Sequence, residues 1–159
     1  MQIKLDAFSL YLVRHGEPDA GISGPDPPLS EHGRAQIENA SKLIRMHSER
    51  IAAVASSPLS RAVMSARILA SEFNLDFDVE ERLEPEGDAG SFLPLFLSLN
   101  NGDKILVGHI PSLRSIISYL SGAAAPSRIS IPGGGVVCLR IHREDAVFIG
   151  EIEWAVRTQ

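Results

Sequence analysis

The chain has 159 residues, a length that argues for one domain, 1–159, able to bury a core without disulfide or metal staples. An apolar fraction of 44% and a charged fraction of 22% are ordinary for a globular chain and exclude disorder as its main state. The net charge of −5 has the wrong sign for a nucleic-acid binder, although it leaves room for a local basic site.

Residues 8–13 form an aromatic and aliphatic run that reads as a buried strand ending at Arg14. A Gly/Pro-rich loop follows over 16–28. Ser30 is placed to cap a helix over 31–47 whose inward face is Ile37, Ala40, Leu43 and Ile44. Residues 51–55 read as a second strand. Ser57 and Pro58 then read as N-cap and first position of a helix to about residue 73, with Leu59, Ala62, Val63, Ala66, Leu69 and Phe73 as its core stripe.

A third strand is expected over 77–79, an acidic turn over 84–90, and a short apolar helix over 91–100. A fourth strand over 104–107 and a helix over 111–120 follow, the latter facing inward through Leu113, Ile116, Ile117 and Leu120. Residues 136–141 and 147–154 flank a short acidic turn and predict a closing antiparallel hairpin. Strands that alternate with helices imply an α/β three-layer sandwich: a mostly parallel central sheet, helices on both faces and the C-terminal hairpin.

The single cysteine, Cys138, excludes an intramolecular disulfide and fits a reducing compartment. It lies in an apolar run and reads as a small core residue, not a nucleophile. Residues 1–6 carry charges where a signal peptide needs an apolar stretch. No apolar run approaches the roughly 20 residues that span a membrane. The expectation is a cytoplasmic protein with no membrane or nucleic-acid partner.

In such folds the functional site lies beyond the carboxyl ends of the strands. Arg14, His15, Gly16 and Glu17 follow the first strand, and Ser57 to Arg61 the second. Glu84, Glu86 and Asp88 follow the third, and His109 the fourth. Two arginines gathered at one point repel unless an anion joins them, and the arginine fork matches phosphate oxygens. A histidine beside them, largely neutral at pH 7, can attack phosphorus and form a covalent intermediate. The pattern points to phosphoryl transfer, with His15 as nucleophile and Arg14, Arg61 and His109 neutralising the oxygens. Gly16 lets backbone pass close to the nucleophile. The positive end of the helix opened by Pro58 would add to the pocket.

Leu12-Val13-Arg14-His15-Gly16-Glu17 resembles the signature of the histidine phosphatase (phosphoglycerate-mutase-like) superfamily. Residues 57–62 resemble its second motif and 108–111 its third. The resemblance implies that His15 is phosphorylated during turnover and that Arg14, Arg61 and His109 complete the phosphate pocket. Leu83-Glu84-Pro85-Glu86-Gly87-Asp88 is similar to the L-x-P-x-G-D signature of the short SixA-type phosphohistidine phosphatases. Longer members carry L-x-E there, the Glu serving as proton donor. Here Pro85 stands at that position, Gly21 replaces an Asn common in mutases, and the chain is too short for mutase lids.

The missing acid has a chemical meaning. An ester leaving group benefits from a general acid, whereas a phosphohistidine P–N bond is already labile. The expectation is a phosphohistidine phosphatase acting on a phosphorelay protein. The alternatives are a small-molecule phosphomonoesterase, with Glu84 or Glu86 as acid, and a non-catalytic phospho-ligand binder. Other residues have plainer readings. His32, His47 and His142 read as surface or helix-end residues, Glu17 and Asp88 as loop and turn residues, and Ser57 as a cap. Gly133-Gly134-Gly135 lacks nucleotide-motif spacing and reads as a turn beside the pocket. No His/Cys spacing implies a metal, and no cofactor is implied.

Overall fold

The computed structural model of the chain describes residues 7–122 and 129–156. The strands are β1 (Phe8–Arg14), β2 (Ile51–Ser56), β3 (Asp78–Val79), β4 (Asp103–Gly108), β5 (Val136–Glu144) and β6 (Val147–Val156). The helices are α1 (Glu31–His47), α2 (Ser60–Glu72), α3 (Ala89–Leu97) and α4 (Ile110–Ser121), with a 3₁₀ turn at Glu81–Leu83. The strands form one sheet in the order β3-β2-β4-β1-β5-β6. Its first four members run parallel, and β5 and β6 close it as the expected antiparallel hairpin.

The sheet is covered on both faces, which is why β1 and β4 are apolar almost throughout. Tyr11, Val13, Val54, Ile105 and Val107 pack under α1 and α2 with Ile37, Ala40, Ile44, Ala62, Ala66 and Leu69. Leu10, Leu12, Leu106 and Leu139 pack on the other face with Leu93, Phe96, Leu113, Ile116 and Leu120 of α3 and α4. Cys138 is buried in the first of these clusters. An apolar strand on both faces has no polar side to set its register. Here the polar contacts at its ends do so: Asp103 accepts from Ser9 N–H (2.8 Å), and His15 N–H donates to Gly108 O (3.2 Å).

α1 has its expected limits, and the Ser30 hydroxyl accepts from Gly33 N–H as its cap. The start of α2 differs from expectation. The helix begins at Ser60, not Pro58, and Ser57 does not cap it. The Ser57 hydroxyl instead meets His109 Nε2 at 2.8 Å, and the first helical amide, Ser60 N–H, donates to Asp26 from the preceding loop (2.7 Å). α3 begins two residues earlier than expected, because the Asp88 carboxylate accepts from Ser91 N–H and caps it. Among the described residues no helix is long and apolar enough to cross a membrane.

Candidate active site

The registers of the three central strands bring their ends to one height. Arg14 of β1 stands beside Gly108 of β4, and Ser56 of β2 beside Val107. The next residues, His15, His109 and Ser57, therefore emerge together. The His15 and His109 rings lie 4.9 Å apart between centroids. They are only 6% and 3% exposed.

His15 is held by its own loop. Its Nδ1 is 2.7 Å from Gly16 O. A carbonyl only accepts, so Nδ1 carries the proton and Nε2 keeps the lone pair. Arg61 Nε–H donates toward that Nε2 at 3.4 Å. Gly16 N–H donates to Ser65 Oγ (3.0 Å), whose hydroxyl donates to Arg61 O (2.7 Å). One helical turn of α2 thus fixes both the nucleophile loop and the arginine. The loop also crosses α1 closely: a Cβ on Gly16 would lie 2.5 Å from Gly33 O, so only glycine fits there.

Arg14 Nη1 donates to Ile131 O at 3.0 Å, while its buried Nε has no partner among the described residues. The glycine turn lies beside this arginine, as expected. Gly134 N–H donates to Arg14 O, and Arg14 N–H to Gly135 O. The Asp26 carboxylate, which the sequence did not single out, lies 3.9 Å from Arg61 Nη1. By accepting from Ser60 N–H it also occupies the first amide of α2, the helix whose positive end was expected to add to the pocket. Among the described residues Glu84 and Glu86 form no hydrogen bond or ion pair with this group; Glu84 is half-buried and Glu86 exposed. Among the described residues no cluster of His, Cys, Asp or Glu is arranged to hold a metal.

Both imidazoles are pushed toward the neutral form. Burial lowers His15 to about 4; the Gly16 carbonyl opposes this, and the Arg61 and Arg14 guanidiniums reinforce it. Burial lowers His109 to about 3, with His15, Arg61 and Arg14 adding to the effect. A neutral His15 with its lone pair on Nε2, flanked by cations, is a nucleophile facing a place for an anion.

The sign of the resulting pH effect is definite. The ordinary histidine pKa of 6.5 lies above the folded value, so the unfolded chain takes up protons first as pH falls. Stability is full above about pH 6.5 and falls on acidification toward about pH 4, by about 3 kcal/mol for His15 alone. Urea unfolding at pH 7 and 4.5 should show this loss in the wild type and a smaller one in His15→Ala. An equal loss in both would show that the His15 environment does not cause it.

A second expectation concerns Ser57. Ser57→Ala leaves a buried imidazole nitrogen without its partner, at a cost of about 1–2 kcal/mol. It should also lower turnover roughly tenfold by freeing the His109 ring. Thermal melts and steady-state rates check both; wild-type turnover would show that Ser57 does not orient His109.

The family model of the histidine phosphatase superfamily (branch 1) matches residues 10–95, more than half of the chain. The chain belongs to the histidine phosphatase superfamily. Membership supports phosphatase activity on a phosphorylated substrate. Solved structures share its fold. The protein histidine phosphatase SixA complexed with tungstate aligns with a TM-score of 0.79 at 20% identity, over 94% of this chain and 96% of that one. A SixA from Agrobacterium tumefaciens, described as a phosphohistidine phosphatase by inference, aligns at 0.74 and 19% identity, over 95% and 98%. A mycobacterial glucosyl-3-phosphoglycerate phosphatase in complex with VO3 aligns at 0.74 and 17% identity, over 95% and 99%. An uncharacterized protein of Picosynechococcus sp. strain PCC 7002 is 27% identical over 141 residues, covering 84% of this chain and 85% of that protein.

Proposed function

We propose that the chain is a cytoplasmic phosphohistidine phosphatase that removes the phosphoryl group from a histidine on a phosphorelay protein. The observation that carries this reading is the state of His15: Nδ1 is tied to Gly16 O, and Nε2 keeps its lone pair beside Arg61. In the first step His15 Nε2 attacks phosphorus. The new P–Nε2 bond forms as the substrate P–N bond breaks. Arg14, Arg61 and His109 hold the phosphoryl oxygens as charge spreads over them. Water then attacks phosphorus, the P–Nε2 bond breaks, and inorganic phosphate leaves.

The acid side of the site supports the choice of substrate. A leaving imidazole whose far nitrogen is protonated departs neutral and needs no proton from the enzyme. An alkoxide does need one. Asp26 is engaged with Ser60 N–H and Arg61, whereas among the described residues Glu84 and Glu86 form no hydrogen bond or ion pair with Arg14, His15, Arg61 or His109. The competing reading, a small-molecule phosphomonoesterase, draws on the Asp26 carboxylate, the acid that does reach the arginine, or on Glu84 and Glu86.

Paired rates on a phosphohistidine protein and on an alkyl phosphomonoester such as glycerol 2-phosphate, whose leaving group is an alkoxide, decide between these readings. The proposal expects kcat/KM to favour the phosphohistidine protein by roughly 10²-fold or more, unchanged by Glu84→Gln and Glu86→Gln. Faster ester hydrolysis that falls in Asp26→Asn or in either Gln variant would overturn it in favour of the phosphomonoesterase. Phosphate binding without turnover of either substrate would make the chain a phospho-ligand binder.

A further inference from the structure

A cavity lies away from the histidines, in the furrow where α1 packs beside α2. It measures about 450 Å³, and its lining holds the cations Arg34, Lys42 and Arg67, the carboxylates Glu38 and Glu72, and Ser41, Met64 and Ile68. That volume falls within the roughly 300–1,000 Å³ of small-molecule sites and far exceeds what a bare phosphate fills.

Two independent features mark it as built for a ligand. The first is charge. Among the described residues the side chains of Arg34, Lys42 and Arg67 make no hydrogen bond, ion pair or ring contact, while most other Lys and Arg side chains are engaged. The i, i+4 spacing would let Glu38 pair with Arg34 or Lys42 along α1, yet it pairs with neither. In a chain of net charge −5, three unengaged cations in one cavity are a local reversal of sign. The second is a buried polar atom. Ser41 is 3% exposed, and among the described residues its hydroxyl has no hydrogen-bond partner. Such a group normally costs free energy unless something bonds to it.

Arg45 bonds Glu72 at the C-terminal ends of the two helices, which fixes their alignment. Counting back at about 1.5 Å per residue places Arg67 near the level of Lys42, and Arg34 about 12 Å further along α1 from Lys42. We propose that this furrow binds a small organic monophosphate of nucleotide size, its phosphate between Lys42 and Arg67. Its body lies along Met64 and Ile68 toward Arg34. The Glu38 carboxylate meets a polar group on that body, and a rotation of the Ser41 side chain would turn its buried hydroxyl toward another. The two lining carboxylates disfavour a polyphosphate or an acidic peptide, which would bring several more negative charges against them.

The test uses AMP as probe on the full His15→Ala chain, so that turnover does not consume it. Backbone amide NMR should show saturable shifts at 38–42 and 64–71, complete below about 10 mM. Inorganic phosphate should give instead the shifts around 14–16 and 108–109. Arg67→Ser combined with Lys42→Ser should weaken AMP binding at the furrow by about tenfold or more while the dispersed spectrum shows the fold intact. Adenosine should bind far more weakly than AMP. The proposal is overturned if AMP shifts only the histidine pocket, if the furrow shifts do not saturate, if adenosine binds as well, or if the double variant binds AMP as the wild-type furrow does.

Discussion

Replacing His15 with alanine is expected to reduce turnover by roughly 10³-fold or more and to remove any covalent phosphoenzyme. The ring supplies the one neutral nitrogen lone pair that faces Arg61, and its other nitrogen is committed to Gly16 O. His109 cannot substitute, because its Nε2 is already engaged with the Ser57 hydroxyl. The fold should survive, since β1 is held by its neighbours β4 and β5 and not by this side chain. Removing a buried, desolvated imidazole should even blunt the loss of stability in acid. Steady-state rates on both substrate classes check the prediction, with phosphate-dependent thermal stabilisation as the control for an intact pocket. A variant within tenfold of wild type would mean that His15 is not the nucleophile.

Arg61→Ala is expected to lower kcat/KM by roughly 10²–10³-fold. Arg61 occupies the point where the structure links nucleophile, helix and loop. Its Nε lies 3.4 Å from His15 Nε2, its carbonyl accepts from Ser65, and its guanidinium approaches Asp26. During phosphoryl transfer that Nε–H must pass from the histidine lone pair to a phosphoryl oxygen. Arg61→Lys keeps the charge but loses the fork, so it should recover only part of the activity. Removing the cation should also raise the His15 pKa from about 4, since Arg61 is one of the groups that lowers it. The acid limb of kcat/KM should then move to higher pH. An unchanged limb together with near-normal kcat/KM would separate Arg61 from the chemistry.

The layer plan was legible because its signals are local. β1 and β4 are apolar runs of strand length, and α1 announces both its face and its Ser30 cap. The strand ends were legible for the same reason, so Arg14, His15, Arg61 and His109 could be placed near one another from chain order alone. What stayed hidden depends on contacts across the fold. Ser57-Pro58 has the local chemistry of a helix start, but the hydroxyl is drawn to His109 and α2 begins two residues later. Its first amide is capped by Asp26, a residue 34 positions away in a loop with no periodic pattern. Ser65 looks like an ordinary helical serine until its hydroxyl is seen to hold Gly16 N–H. The furrow between α1 and α2 is equally silent in sequence, because Arg34, Lys42 and Arg67 read singly as solvated charges.

The most direct test of the central claim is to trap the intermediate. The chain would be mixed with a ³²P-phosphohistidine protein, quenched in alkali within milliseconds, and the labelled peptide located by mass spectrometry. The account predicts an acid-labile, alkali-stable phosphoryl group on His15 that forms and decays at rates matching turnover. Label on another residue, or full turnover with no covalent label while substrate is being consumed, would contradict it.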